Sequence, residues 1–348
     1  MEKPILSSSP CISVVIPVYN NAAELACCLS ALQRSDLSPQ LETIIIDDGS
    51  STVAEAIEQV ASHYRATYFR QAVNGGPGVA RNRGAELATG EIIVFLDSDC
   101  VAPSDWLAKL TRPILEGSCS ATTACYCGPL KSNWITDFQD EDYLYRMPST
   151  ECETYFVNSC NLAVKRDAFF ACGGFPNQRV SEDMVLGMRL AENGTPARFL
   201  PEAGVQHAYY ENLKSYLKQR FSFGVNTIRS YFERGRLRSQ QTKSSIRSFN
   251  PIRIGLGLFF GSLTLICVFM AGIVAIFKPD LAPLFLVGVL LSFLLEMSVH
   301  GRFLLFLKNR HGLRRSTSYI FLLFIIDVIY SGSLFVGLIL GLRDRLIK

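Results

Sequence analysis

GEIIVFLDSDC, residues 90–100, decides the architecture of the N-terminal two thirds of the chain. Ile92–Leu96 is an unbroken apolar run, which reads as a strand buried on both faces rather than half-solvated. It ends at two carboxylates one residue apart, Asp97 and Asp99. Acids at the mouth of a buried strand either open a turn to water or need positive charge close by.

Working outward, CISVVIPVYN (11–20) is a β-branched strand that closes on Pro17 and Tyr19, and AAELACCLSALQ (22–33) follows with helical spacing. LETIIIDDGS (41–50) is a second buried strand ending at Asp47 and Asp48. VAEAIEQVASHY (53–64) reads as a helix, ATYFRQ (66–71) as a short strand, and VARNRGAELA (79–88) as the helix leading into residues 91–97. Strands alternating with helices predict an α/β fold with a mostly parallel central sheet, whose ligands gather at the C-terminal strand ends. Asp48 and the Asp97/Asp99 pair then converge on one edge. Residues 119–153 are less periodic and are expected to form loops and a variable strand.

Charge is unevenly distributed. Residues 1–210 carry 15 Lys and Arg against 25 Asp and Glu, net −10, whereas residues 211–253 carry 10 against 2, net +8. The basic stretch alternates with aromatics and precedes a hydrophobic segment, so it is expected to lie against anionic lipid. No nucleic-acid recognition module accompanies it. Residues 254–277 contain no charged side chain, 281–299 are interrupted only by Glu296, and 319–342 only by Asp327. Each is long enough to cross a hydrocarbon core of about 30 Å. Basic residues before the first span and in KNRHGLRR (308–315) place both on the cytoplasmic side. The tail RDRLIK argues the other way, a conflict that a re-entrant third segment would remove. Glu296, His300 and Asp327 could line a cavity or hold a lipid phosphate through His300; a place near a helix end, or snorkelling, is the ordinary alternative.

These boundaries predict a cytoplasmic catalytic domain over 1–210, an interfacial neck over 211–253 and a multi-pass membrane domain over 254–348. The apolar run CISVVIP is too short for a cleaved export signal. Eleven cysteines lie in no regular framework, and Cys27, Cys28, Cys125 and Cys127 are not grouped with histidines as a zinc site requires.

Taken in order, VVIPVYN, IIIDDGS, GGPGVARNRG, FLDSD, NSCNLAVKRDAFFACGGF and SEDMVLGMRL resemble glycosyltransferase family 2, over roughly residues 11–230. The resemblance implies the nucleotide-sugar-binding GT-A fold, followed by interfacial helices and a transmembrane region. It implies a nucleoside pocket formed by Pro17, Tyr19 and Asp48, with Arg81, Asp97 and Ser98 also on the donor. It makes Asp99 a ligand for Mg2+ or Mn2+, His207 a second ligand, and Asp183 the catalytic base supported by Glu182.

The chemistry of these side chains agrees. A sugar nucleotide leaves as a diphosphate, so a cation must offset charge developing on it, and hard carboxylates suit Mg2+ or Mn2+. The glycines of NGGPG let a ligand pass close to the backbone, and an arginine on the next helix can reach the base or diphosphate. GxxxxGK[ST] is absent, so this is not a P-loop. Glu182 and Asp183 open an amphipathic helix whose N-terminal dipole helps keep a carboxylate ionised. In the neck, Gln219 and Arg220 are adjacent and followed by Phe221, a departure from the Gln-x-x-Arg-Trp pattern of processive synthases.

The expected activity is inverting transfer of one sugar from a UDP- or GDP-sugar to a membrane lipid or polyprenyl-linked acceptor. The alternatives are a processive polysaccharide synthase and a noncatalytic membrane scaffold with a nucleotide-binding fold.

Overall fold

A computed structural model describes residues 12–36, 41–177, 182–233 and 251–347. The strands are β1 (Ile12–Val18), β2 (Leu41–Asp47), β3 (Thr67–Arg70), β4 (Ile92–Leu96), β5 (Cys100–Val101), β6 (Ala121–Thr123), β7 (Tyr126–Pro129), β8 (Cys152–Thr154), β9 (Asn161–Lys165), β10 (Ala197–Phe199) and β11 (Val205–His207). The helices are α1 (Ala22–Gln33), α2 (Ala54–His63), α3 (Pro77–Leu87), α4 (Trp106–Leu115), α5 (Trp134–Arg146), α6 (Arg166–Ala171), α7 (Glu182–Glu192), α8 (Leu213–Glu233), α9 (Pro251–Phe277), α10 (Ala282–His311), α11 (Leu313–Ser318) and α12 (Ile320–Ile347). The described residues group into two compact units, one within 12–132 and 146–209, the other within 133–145, 210–233 and 251–347.

The first unit is built on an eight-stranded sheet of order β3-β2-β1-β4-β9-β6-β10-β8. β3, β2, β1 and β4 are mutually parallel, and β9 enters antiparallel between β4 and β6. All of Ile92–Leu96 is buried, as an unbroken apolar run predicts. Ile92, Val94 and Leu96 join one core with Leu25, Leu29 and Leu107 from α1 and α4. Ile93 and Phe95 join the other, with Ala80, Phe169 and Leu186 from α3, α6 and α7. Each core buries many aliphatic side chains at roughly 1.5–3 kcal/mol apiece before chain entropy is counted. α3 lies unusually close to the sheet because Gly84 has no side chain: a Cβ there would sit 2.2 Å from Val15 Cγ1.

A second, three-stranded sheet, β5-β11-β7, pairs His207 with Cys100 in antiparallel register. Asn161 is fully buried between strands, accepting from Trp106 Nε1 at 2.9 Å and donating to the carbonyls of Cys125 and Ala203. Its place in the NSCN segment is therefore explained by packing of the fold.

The second unit is helical. Three stretches are long and apolar enough to cross a membrane: Phe259–Phe277 in α9, Pro279–His311 comprising α10 and the turn before it, and Leu313–Arg343 running through α11 and α12. Phe259, Phe269, Ile276, Leu284 and Phe321 are more than half exposed, the surface expected of helices solvated by lipid. α10 continues as helix from Ala282 to His311, well beyond the expected end at 299. Glu296 lies near its middle and is completely buried, which corrects the reading of a helix-end or snorkelling acid.

α5 also corrects an expectation, since residues 134–146 form a helix rather than loops. Ile135 and Phe138 pack with Tyr216, Phe303, Leu307 and Tyr319. Its acids face the basic turn between α10 and α11: Glu141 pairs with His311 at 2.6 Å and Arg310 at 3.0 Å, and Asp137 with Arg315. Arg234, Arg236 and Arg238 of the neck lie outside the described residues, whereas α8 carries Lys218 and Arg220.

Candidate active site

Because β1, β2 and β4 are parallel neighbours, the segments following them open on one edge of the sheet. They form a cavity of about 420 Å³. Of the residues singled out in the sequence, Pro17, Tyr19, Asp48, Arg81, Asp97, Ser98 and Asp99 line it, together with Val18, Asn21, Asn74, Gly76 and Pro77. Tyr19 is half-exposed at the rim.

Asp48 is buried and already hydrogen-bonded: the N–H groups of Gly75 and Gly76 each donate at 2.8 Å, and Gln71 Nε2 donates at 2.7 Å. A carboxylate has about four lone-pair positions, so one remains for a ligand. Its first role in the geometry is to shape the NGGPG loop. Gly76 sits at φ 92°, where a side chain would be strained, and caps α3. No signal in the DDGS segment distinguishes this loop-organising role from direct contact with a ligand.

α3 carries Arg81 into the cavity. Its Nη2 lies 2.6 Å from Asp97 Oδ1 and its Nη1 3.4 Å from Glu182 Oε1. Burial opposes its charge, but Asp97 and then Glu182 outweigh that and hold its pKa above the ordinary arginine range. Its buried Nε has no hydrogen-bond partner, leaving one donor of the guanidinium uncommitted.

Asp99 and His207 meet because β5 and β11 pair. The Ala208 N–H donates to the Asp99 carbonyl at 3.1 Å, and His207 Nε2 lies 3.6 Å from Asp99 Oδ2. Tyr126 stacks on the imidazole with ring centroids 4.3 Å apart, a positioning contact that no sequence motif announced. Burial, then Asp97, pushes Asp99 up to about 7. Burial pushes His207 down to about 4, so its imidazole is neutral at physiological pH, the state that can ligate a metal. One ligand atom each from Asp99, Cys100 and His207 lies within 4.8 Å of the others. A carboxylate that resists ionisation beside a neutral imidazole is a donor set that a divalent cation would complete.

Glu182 and Asp183 open α7. Glu182 reaches Arg81, whereas Asp183 does not line the cavity and accepts from the Met184 N–H at 2.7 Å. Burial, then the neighbouring Asp183, raises the Glu182 pKa. Burial also raises that of Asp183, partly offset by the Met184 N–H.

A mixed, mostly parallel sheet flanked by helices, followed by long apolar helices, is a GT-A-like fold with helices long enough to cross a membrane. Residues 13–171 match the family profile described as Glycosyl transferase family 2. It is 28% identical over 225 residues to the pre-mycofactocin glycosyltransferase of Mycobacterium tuberculosis, covering 61% of this chain and 46% of that protein. It is 28% identical over 187 residues to glycosyltransferase AglE of Haloferax volcanii, covering 50% and 59% respectively. The chain thus spans about half the length of the curated relatives it matches. Among solved structures, the mannosyltransferase PcManGT from Pyrobaculum calidifontis, in complex with GDP-Man and Mn2+, aligns with a TM-score of 0.56 at 17% identity. That alignment covers 97% of this chain and 88% of PcManGT, and establishes likeness of fold.

Proposed function

We propose that the protein is an inverting, metal-dependent glycosyltransferase that moves one sugar from a UDP- or GDP-linked donor to a membrane lipid or polyprenyl-linked acceptor. The observation that carries this reading is the meeting of Asp99 and His207, 3.6 Å apart across the β5–β11 pairing, beside a cavity lined by Asp48 and Arg81. Residues 1–210 would be the cytoplasmic catalytic domain, 211–253 the lipid-facing neck and 254–348 the membrane anchor.

In this reading Pro17, Tyr19 and Asp48 take the nucleoside, with Asp97 and Ser98 on the ribose or sugar. Asp99 and His207 would hold Mg2+ or Mn2+, which supplies positive charge against the leaving diphosphate. Arg81, which lines the same cavity, reinforces that charge while keeping Asp97 in place. Asp183 takes the proton of the acceptor hydroxyl, and Glu182, oriented by Arg81, positions the acceptor. A single displacement with base and leaving group on opposite faces inverts the anomeric carbon.

The test uses the full chain in lipid nanodiscs with a panel of radiolabelled nucleotide sugars, GDP-mannose with Mn2+ first, and extracted lipids as acceptors. One labelled lipid carrying a single added sugar is expected. A polymeric product would show a processive synthase, and nucleotide binding without transfer to any lipid would show a scaffold.

A further inference from the structure

Within the second unit, α9, α10 and α12 enclose Glu296, His300 and Asp327. Glu296 and His300 are one turn apart on α10 and therefore share a face, while Asp327 comes from α12. His300 Nε2 lies 2.8 Å from Asp327 Oδ2, and one ligand atom from each of the three residues lies within 4.8 Å of the others. Glu296 is completely buried, and neither of its carboxylate oxygens has a hydrogen-bond partner. α9 meets the cluster with Gly257 and Gly261. A Cβ at Gly257 would sit 2.7 Å from Asp327 Oδ2, and one at Gly261 3.3 Å from Glu296 Oε1.

A carboxylate sealed among apolar helices with no donor in reach is costly, and protonating it leaves an O–H that itself needs an acceptor. Among the described residues, no Lys or Arg forms an ion pair with Glu296 or Asp327, and the side-chain partner of Asp327 is the His300 imidazole. Two acids and one imidazole, gathered on one spot and covered by glycines, lack a positive charge at their centre.

We propose that Glu296, His300 and Asp327 bind a divalent transition-metal cation of the Zn2+ or Mn2+ class between the membrane helices. One imidazole and two carboxylates suit such an ion better than Ca2+ or Mg2+, which favour all-oxygen shells. Around a tetrahedral ion with bonds near 2.1 Å, donor atoms sit about 3.4 Å apart, so the His300–Asp327 pair, at 2.8 Å, opens by roughly 0.6 Å as the wider separations close. The ion ties α10 to α12, and Gly257 and Gly261 let α9 pass over it. This site is separate from Asp99 and His207 and does not depend on the activity proposed above.

The test uses the full chain in lipid nanodiscs, carrying Asp99→Ala and His207→Ala so that the other candidate site is removed. After incubation with ZnCl2 and gel filtration, about one zinc per chain should remain, and it should raise Tm. Adding Glu296→Gln, which keeps the side chain's shape, should lower zinc affinity at least as much as the roughly 10- to 100-fold lost on mutating residues that merely support a metal ligand. X-ray absorption of the retained zinc should show only nitrogen and oxygen neighbours, including one imidazole. That measurement decides the matter even where the Glu296 variant fails to fold. No retained zinc, zinc retained unchanged by a folded Glu296→Gln protein, or sulfur ligation to the cysteines would each overturn the proposal.

Discussion

Arg81 on α3 reaches Asp97 at the end of β4, with Nη2 2.6 Å from Oδ1, and the same guanidinium approaches Glu182 at 3.4 Å. One cation thus links the acidic strand end to the start of α7. Arg81→Ala would leave the nearly buried Glu182 and the partly exposed Asp97 without it. Breaking a fully buried pair costs about 3–5 kcal/mol. With Asp97 29% exposed, roughly 2 kcal/mol is expected, lowering Tm by about 5 °C. Arg81→Lys keeps the charge but loses the fork and should fall between. A thermal scan of the detergent-solubilised chain measures this, and an unchanged Tm for Arg81→Ala would refute the linkage.

Asp48→Asn should impair donor binding by loosening the loop that Asp48 organises. Its amide cannot accept from Gly75, Gly76 and Gln71 as the carboxylate does. Charge-assisted hydrogen bonds contribute about 1.5–3 kcal/mol, so Tm should fall by several degrees and, with the loop displaced, donor Kd should rise at least about tenfold. Calorimetric titration with UDP and GDP reads the effect. Unaltered affinity for both would remove Asp48 and its loop from the binding site.

Asp183 is raised by burial, and a base must be ionised to work. Activity should therefore be lost as pH falls through a pKa above the ordinary aspartate value of about 3.9, and recover as pH rises past it. Asp183→Asn should keep donor affinity, cut transfer by about 10²- to 10⁴-fold and abolish that acidic limb. Near-wild-type transfer by the variant would overturn the base assignment, and would point to an acceptor whose phosphate is already ionised.

The left half of the sheet was legible because β1, β2 and β4 are long β-branched runs buried on both faces, each ending at a proline or an acid. Beyond β9 the signal fades: β6, β8, β10 and β11 are three residues each, too short for a period to register. His207 came from resemblance alone, since its approach to Asp99 depends on pairing β11 with a strand over a hundred residues earlier. α5 was missed because its acids read as solvated loop. They pair instead with Arg310, His311 and Arg315, which lie about 170 residues downstream. Glu296, His300 and Asp327 stand out in the sequence as ionisable residues in apolar segments, but that Glu296 is buried mid-helix beside the other two follows only from the packing of α10 and α12.

The neck carries net +8 over residues 211–253, directly before the first candidate span. Replacing Lys218, Arg220, Arg234, Arg236 and Arg238 with glutamine should raise the acceptor KM in anionic bilayers and leave donor affinity unchanged. Each lysine or arginine near such a surface contributes about 1 kcal/mol. The defect should shrink as the anionic lipid fraction is reduced. Equal acceptor KM for variant and wild type at every lipid composition would mark the stretch as a solvated linker.

In the proposed reaction Asp99 holds a cation against the leaving diphosphate during transfer from a nucleotide sugar to a lipid. This role is tested most directly by label transfer in bilayers, comparing wild type with Asp99→Ala, each stripped of metal and then resupplied with Mn2+ or Mg2+. The account predicts labelled lipid from metal-loaded wild type, almost none from stripped wild type, and almost none from a folded Asp99→Ala protein under either condition. Full turnover by the metal-free wild type, or by Asp99→Ala, would contradict it.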